Sequence, residues 1–386
     1  MNAPLGWTQL RHRPLRLAVA LVGIGFAVLL ILMQLGFRAA LFDSAVRIHE
    51  RLDYDIALFS PDSVFIVRPQ TFSIRRLYQA KGDPAVTDVA PVYIFPAVYK
   101  NPWTGQRRSI NTLGFEAGDA WLDTPGFDAI RPILTRQDTA AIDLASRPEF
   151  APPGGSLESA LAEHGPLTTE VNDREITIAG GFHLGTSFGI DGTLVTSADN
   201  WLRLFPDRHR EDIQLGLLKL AAGADPATVR DRLAARLPDD VLVMTRADFI
   251  DRETAYWNSA TPIGYVFTFG AIMGLLVGAI IVYQILFADV SEHLPEYGTL
   301  RAIGYSPGFV SGIVLQQAAI LGVLGYLPGL LGAHWLYGKA AAATNLPLVI
   351  TPGRAGIVLL MTLGMCALSG WLAIRRVRRL DPAEVF

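Results

Sequence analysis

Residues 17–37 read LAVALVGIGFAVLLILMQLGF, a run without a charge in which Gln34 is the one strongly polar side chain. A helix needs roughly 20 predominantly apolar residues to cross the hydrocarbon core of a bilayer, so this run predicts a membrane span. Arg11, Arg13 and Arg16 precede it. A basic flank before an apolar run also marks a secretory signal, but there the apolar part is about 7–15 residues and ends at a small-residue cleavage site. This run is longer, and no convincing A-x-A site follows it. It reads as an uncleaved anchor.

Three further runs lie far downstream. Thr254–Ala288 carries no charge and has its apolar core at 263–287. Ala302–Gly338 is also uncharged, with a predicted span over 309–336, and Ala355–Ile374 is the fourth. The third holds Gln316, Gln317 and Pro328, groups expected to face other helices rather than lipid. The predicted fold class is therefore a membrane α-helical chain with four transmembrane helices. A large α+β extracytoplasmic domain is inserted between helices 1 and 2. The expected segments are 1–37 (N-terminus and first span), 38–260 (outer domain) and 261–386 (spans 2–4, with a cytoplasmic loop at 288–308 and a basic tail).

Composition agrees with this division. Of the 386 residues 51% are hydrophobic and 18% charged, against about 25% charged in an average soluble protein. So many apolar residues exclude global disorder. A net charge of -3 excludes a strongly basic nucleic-acid binder. The charge is unevenly spread: residues 38–260 carry -8 and the rest +5. Arg11, Arg13 and Arg16 at one end and Arg375, Arg376, Arg378 and Arg379 at the other place both tails in the cytoplasm by the positive-inside rule. In a two-membrane bacterium this predicts an inner-membrane protein with 38–260 in the periplasm.

The outer segment alternates strand-like and helix-like patterns. Val86–Val98 is β-rich and runs into the turn cluster at 101–105, with Ser109–Phe115 as a candidate partner. Asn172-Asp173 between 168–171 and 175–178 is a hairpin signal. The 213–220 strand, a helix over 226–237 with Asp225 as N-cap, and the 241–244 strand suggest a βαβ-type unit. Residues 147–156 read as a loop and a candidate subdomain boundary. Residues 38–50 and 246–260 read as helical stalks joining the domain to spans 1 and 2; a stiff stalk transmits motion where a Gly/Ser linker would not.

No catalytic set stands out. His49, His164, His183 and His209 are scattered without HExxH spacing, and no G-x-S-x-G elbow is present. No metal site or cofactor is expected in this chain. The lone Cys366 allows neither an internal disulfide nor a Cys-rich zinc site. The string from Gly332 to Gly338-Lys339 is not a phosphate loop, because its spacing is one residue too long and Ala340 replaces the Ser/Thr. Work driven by ATP would need a separate ATPase.

Two motifs bear on mechanism. Gly270, Gly274 and Gly278 form overlapping GxxxG units on one face of span 2, suited either to packing against span 1 or to dimerisation. The loop between spans 2 and 3 predicts a short helix from Pro295 to Gly304. Its apolar face is Tyr297, Leu300 and Ile303 or Gly304, with Glu296 in its first turn and Arg301 in its last. Such a helix can dock into a groove of a cytosolic partner or lie on lipid.

At this point the chain resembles a known group. One span, a large outer domain, three further spans and a basic tail are similar to the FtsX/MacB-like permeases of the type VII ABC transporters, along essentially the whole length. Tyr256-Trp257, 261–264 (TPIG), 281–286 (IVYQIL) and 296–305 (EYGTLRAIGY) look closer still to the DevC-like branch, and the closing 378–385 (RRLDPAEV) resembles the tail of the superfamily as a whole. The resemblance implies a permease homodimer in membrane lipid, bound to a cytosolic ABC ATPase that holds ATP and Mg. For that branch it also implies an HlyD-type periplasmic adaptor and a TolC-like outer-membrane channel, with an amphiphile (lipid, glycolipid or peptide) moved outward. The 295–304 helix would be the coupling helix, with Glu296, Tyr297, Leu300, Arg301, Ile303 and Gly304 at the ATPase. An FtsX-like mechanotransmitter controlling an extracytoplasmic hydrolase and a lipoprotein-releasing permease are the alternatives.

Overall fold

The computed structural model describes residues 14–116, 121–187, 189–259 and 262–377. Arg11, Arg13 and the tail with Arg378 and Arg379 lie outside these residues, as do the side chains of Arg301, Ala302, Pro307, Val310, Arg376 and Val377. The chain divides into two compact units, Leu41–Thr261 and Met1–Ala40 with Pro262–Phe386. Among the described residues, four helices are long and apolar enough to cross a membrane, and a large mixed α/β domain lies between the first and the second.

Helix α1 (Pro14–Arg51) is 38 residues long, about 57 Å at 1.5 Å per residue. That is nearly twice the roughly 30 Å hydrocarbon core, so the chain from residue 38 to 51 continues the first span as unbroken helix. The outer unit then runs through β1 (Ile56–Phe59), β2 (Phe72–Ser73), α2 (Arg75–Lys81), β3 (Val86–Lys100), β4 (Arg107–Phe115), α3 (Phe127–Ile130) and β5 (Thr139–Asp143). It continues through α4 (Leu157–His164), β6 (Leu167–Val171), β7 (Arg174–Phe182), β8 (Thr193–Ser197) and α5 (Ala198–Leu204). The last part is β9 (Asp212–Ile213), β10 (Leu215–Leu220), α6 (Pro226–Arg236), β11 (Leu242–Thr245) and α7 (Arg246–Ser259).

Among the described residues, nine strands form one sheet in the order β11-β1-β10-β3-β4-β8-β5-β7-β6. Strand β6 also pairs with the end of β3 through Tyr99↔Val171 and Lys100↔Glu170, so the strands from β3 round to β6 close on themselves. The β4–β8 and β5–β7 pairs are parallel. Local chemistry accounts for the pieces. Asn172 and Asp173 have φ of 50° and 60°, the left-handed pair that a two-residue hairpin turn requires. Strand β3 pairs with β4 from Val92↔Phe115 to Lys100↔Arg107, the partnership expected for 86–98 and 109–115. Asp225 caps α6 by accepting from the Thr228 N–H, with Pro226 at the first helical position.

Two readings change. The β10–α6–β11 unit is not a simple βαβ, because β1 lies between its two strands and is antiparallel to both. The 147–156 loop is not a boundary: Phe150 is buried in the core and the Asn101 side-chain amide donates to the Glu149 and Ala151 carbonyls at 2.9 and 3.0 Å. Strand β1 shows why periodicity hides such strands. Ile56 and Leu58 enter one core cluster, Ala57 and Phe59 the other, so a strand packed on both faces is apolar throughout rather than alternating. At the largest fully buried side chain, Trp201, the sheet yields space: a Cβ on Gly114 would sit 2.7 Å from the Trp201 Cβ.

The membrane-type unit adds α8 (Pro262–Glu292), α9 (Leu294–Ala302), α10 (Pro307–Thr344) and α11 (Pro352–Val377) to the first part of α1. Its core is a separate cluster that includes Ile24, Val28, Ile31, Leu286, Leu321 and Cys366.

Candidate functional site

The loop between α8 and α10 is built as a short stopped helix. Proline stands at its second residue, and the helix ends where Gly304 takes φ +110°. The Ile303 and Tyr305 N–H groups donate back to Thr299 and Leu300 carbonyls, both at 3.1 Å, a glycine-terminated stop of the Schellman kind. Tyr297 is buried with Val290, Ile313 and Val314, and Leu300 packs on the same cluster. The apolar face of α9 is therefore turned onto the chain's own helices, and this seats the loop. Outward lie Glu296 and Thr299, followed by Ile303 at 72% exposure. Tyr305 and Phe309 follow at 47% and 39%, stacked with ring centroids 4.7 Å apart. Arg301 sits in the last turn of α9 and its side chain is outside the described set.

The elements around this loop are tied to it. Asp289 near the end of α8 accepts from Gln317 Nε2 on α10 at 3.0 Å, and His293 Nδ1 donates to the Asp289 carbonyl at 2.8 Å. Arg16 pairs with Glu292 at 2.7 Å, which sets the basic start of α1 beside the loop at one end of this unit. The pair is about half exposed and contributes ~1 kcal/mol or less. Of the two glutamines expected to face helices, Gln317 does and Gln316 is exposed. Successive helical residues are about 100° apart, so the two cannot share one face.

The glycines of span 2 lie on α1. A Cβ on Gly270 would be 2.5 Å from the Gln34 side chain, on Gly274 3.2 Å from Ile31, and on Gly278 2.8 Å from Ala27 and 2.9 Å from Met365 Sδ. The face is filled within one chain. A second approach, in part against main chain, joins α1 to α10: a Gly329 Cβ would be 2.6 Å from the Gly25 carbonyl, and a Gly325 Cβ 2.6 Å from Ile24. Its signal, Gly325-x-x-x-Gly329, is in the sequence beside Pro328 and escapes notice because proline dominates that stretch. Above it the Tyr337 hydroxyl donates to the Leu32 carbonyl.

The roots of the two stalks meet in the outer unit. Arg246, the first residue of α7, donates from Nε and Nη2 to the His49 carbonyl at 2.9 and 2.6 Å. Its Nη2 also reaches the Glu50 and Leu52 carbonyls at 3.0 and 2.5 Å. These are carbonyls that the C-terminal end of a helix leaves without intrahelical partners, and a cation there also complements the helix dipole. The His49 ring, fully buried, lies 4.3 Å from the Phe249 ring and its Nδ1 is 3.0 Å from the Tyr54 hydroxyl. Lower on α7, buried Glu253 accepts from the Ile66 N–H at 2.7 Å and from the Trp257 side chain. Burial pushes its carboxyl up to about 7, against the hydrogen bonds that favour the charged form. Among the described residues no group of three His, Cys, Asp or Glu side chains is placed to hold a metal ion.

Residues 268–382 match the family described as FtsX-like permease C-terminal. The match begins within α8 and takes in α9, α10 and α11. Two solved structures are similar to the chain. The periplasmic region of MacB from Actinobacillus actinomycetemcomitans is 12% identical over 52% of this chain and 92% of that one, with a TM-score of 0.34. The extracellular domain of the noncanonic ABC-type transporter YknZ from Gram-positive bacteria is 14% identical over 49% of this chain and 98% of that one, with a TM-score of 0.33. No curated protein matches the sequence.

Proposed function

We propose that the chain is the permease subunit of an ABC-type exporter, without catalysis of its own, with residues 38–260 outside the inner membrane and both tails in the cytoplasm. The observation that carries this reading is α9. It is a capped helix between two spans, inside the FtsX-like segment, seated by Tyr297 and Leu300 and followed by outward-facing Ile303, Tyr305 and Phe309. A rigidly seated helix beside an unpartnered apolar and aromatic edge suits a cytosolic ATPase groove. ATP and Mg would be bound and hydrolysed there, not in this chain. Closure of the ATPase pair would move α9, and with it α8 and α10 through Asp289 and Gln317. Helix α1, unbroken past the last residue of the first span, would carry the movement outward, and Arg246 would hold the second stalk to the first. A homodimer, an HlyD-type adaptor, a TolC-like channel and an amphiphilic cargo complete the proposal; they rest on the strings at 256–257, 261–264, 281–286 and 296–305.

The test is Ile303→Glu in the full chain, with co-purification of the ATPase and its turnover as readouts. Loss of one buried aliphatic contact plus a desolvated charge should weaken association by about tenfold or more, which is 1.4 kcal/mol. Unchanged association and turnover would overturn the assignment. The unbroken α1 equally favours a force transmitter acting on an outer hydrolase. Which outer protein co-purifies with the chain, adaptor or hydrolase, separates the two readings.

A further inference from the structure

The segment between β1 and β2 is a loop that climbs down α7. Phe59, at the end of β1, lies 4.8 Å from the Phe249 ring. The Ser63 carbonyl accepts from Arg252 Nη2 at 2.7 Å, and the Ile66 N–H donates to Glu253 at 2.7 Å. Phe65 then stacks on Tyr256 at 5.2 Å and meets Trp257 edge-on at 5.3 Å. From Phe249 to Tyr256 this is two helical turns, about 10 Å toward the C-terminal end of α7. Val64, next to Phe65, is 50% exposed, and Arg68 on the same loop is exposed as well.

The end of α7 is also the approach to the membrane. It stops at Ser259, and the apolar helix α8 starts at Pro262, so at most about 11 Å of chain separates them. Tyr256 and Trp257, three and two residues before that end, are amphipathic rings of the kind that collect at membrane–water boundaries. The loop's buried side is pinned by hydrogen bonds to α7, and its free side presents Val64 with the basic Arg68 four residues on. We infer that this loop and the last turn of α7 form a lipid-binding foot. Val64 and Phe65 enter the headgroup layer of the outer leaflet, and Arg68 pairs with lipid phosphate. The occupant is the bilayer that the chain itself spans, because chain continuity holds the foot within reach of it.

The inference rests on α8 crossing a bilayer, and the experiment separates the two. A nitroxide is attached at Val64→Cys in the full chain, in vesicles of phosphatidylethanolamine and phosphatidylglycerol; Cys366 is buried and leaves little background. Collision with oxygen relative to a water-soluble nickel chelate is compared with the same label at Val98, exposed on β3, and at Leu276, exposed on α8. The foot predicts a ratio at Val64 several-fold above that at Val98 and below that at Leu276. A ratio equal to that at Val98 places the loop in water and overturns the inference. Little collision with either reagent means that protein covers the loop, which also overturns it. A water-like ratio at Leu276 removes the membrane reading itself and the foot with it. If Val64→Cys does not fold, Asp62→Cys on the same exposed loop gives the same reading.

Discussion

Arg246 acts through oxygens of the main chain, and that decides what its removal does. Arg246→Ala leaves the carbonyls of His49, Glu50 and Leu52 short of a charged donor, at an expected cost of about 2–3 kcal/mol. The measurement is amide exchange in full-length protein, where residues 48–55 and 246–253 should lose protection together. Loss confined to one stalk would count against a shared clamp. Glu253 gives a pH dependence. Its carboxyl titrates at about 7 when folded, against 4.5 ordinarily. Below 4.5 both states hold the proton; between 4.5 and 7 only the folded state does. Its contribution is therefore complete at low pH and lost as pH rises through 7, by about 3 kcal/mol in all. Glu253→Gln keeps an acceptor for Ile66 and removes the titration. Its stability relative to the parent should rise by about that amount from pH 5 to pH 8 in thermal unfolding. Neither residue was legible beforehand. Arg246 lies 197 positions from His49, and nothing in a single sequence reports a pairing so distant between a side chain and a backbone.

The long helices were legible because lipid imposes one simple rule on them: twenty apolar residues, no backbone left unpaired. Their faces were only partly so. The glycines of α8 announced a close approach, but spacing alone could not say whether the neighbour was α1 or a second copy, and the Gly25–Gly329 approach was masked by Pro328. This approach is testable. Gly329→Ala places a methyl where the Gly25 carbonyl already stands and should cost about 1–3 kcal/mol by prying α1 from α10. Gly312→Ala, on the same helix with nothing within 4 Å, should be neutral or gain up to about 1 kcal/mol from helix propensity. Unfolding of both variants in mild detergent measures the contrast. In α9 the helical period puts Tyr297 and Leu300 on one face, whereas Ile303, expected on that face, is exposed. Tyr297 and Leu300 bind the helix to its own bundle, while the free edge is supplied by residues after the glycine stop.

At the scale of the whole chain, the arginine-rich ends predict a sidedness that labelling can read. A cysteine at Glu158, exposed on the outer domain, should react with a membrane-impermeant maleimide in intact cells whose outer membrane has been opened. One at Ser291, exposed after the second span, should react only once the inner membrane is broken. The reverse pattern would invert the topology argued from charge. The presence of a mixed α/β domain between the first and second long apolar helices was legible from charge and hydropathy, whereas strand order was not, since pairing depends on residues far apart in the chain. That order constrains how the protein is made. Strand β1 is the first strand of its domain to leave the ribosome, and its two neighbours, β10 and β11, are among the last. At about 5–20 residues per second, β1 waits about 10–40 s for the partners that cover its edges. Throughout that interval Ile56–Phe59 is an uncovered apolar strand, tethered beside a membrane by a helix already inserted. The outer domain is thus a late folder by topology, and its biogenesis depends on keeping that short segment from pairing with anything else.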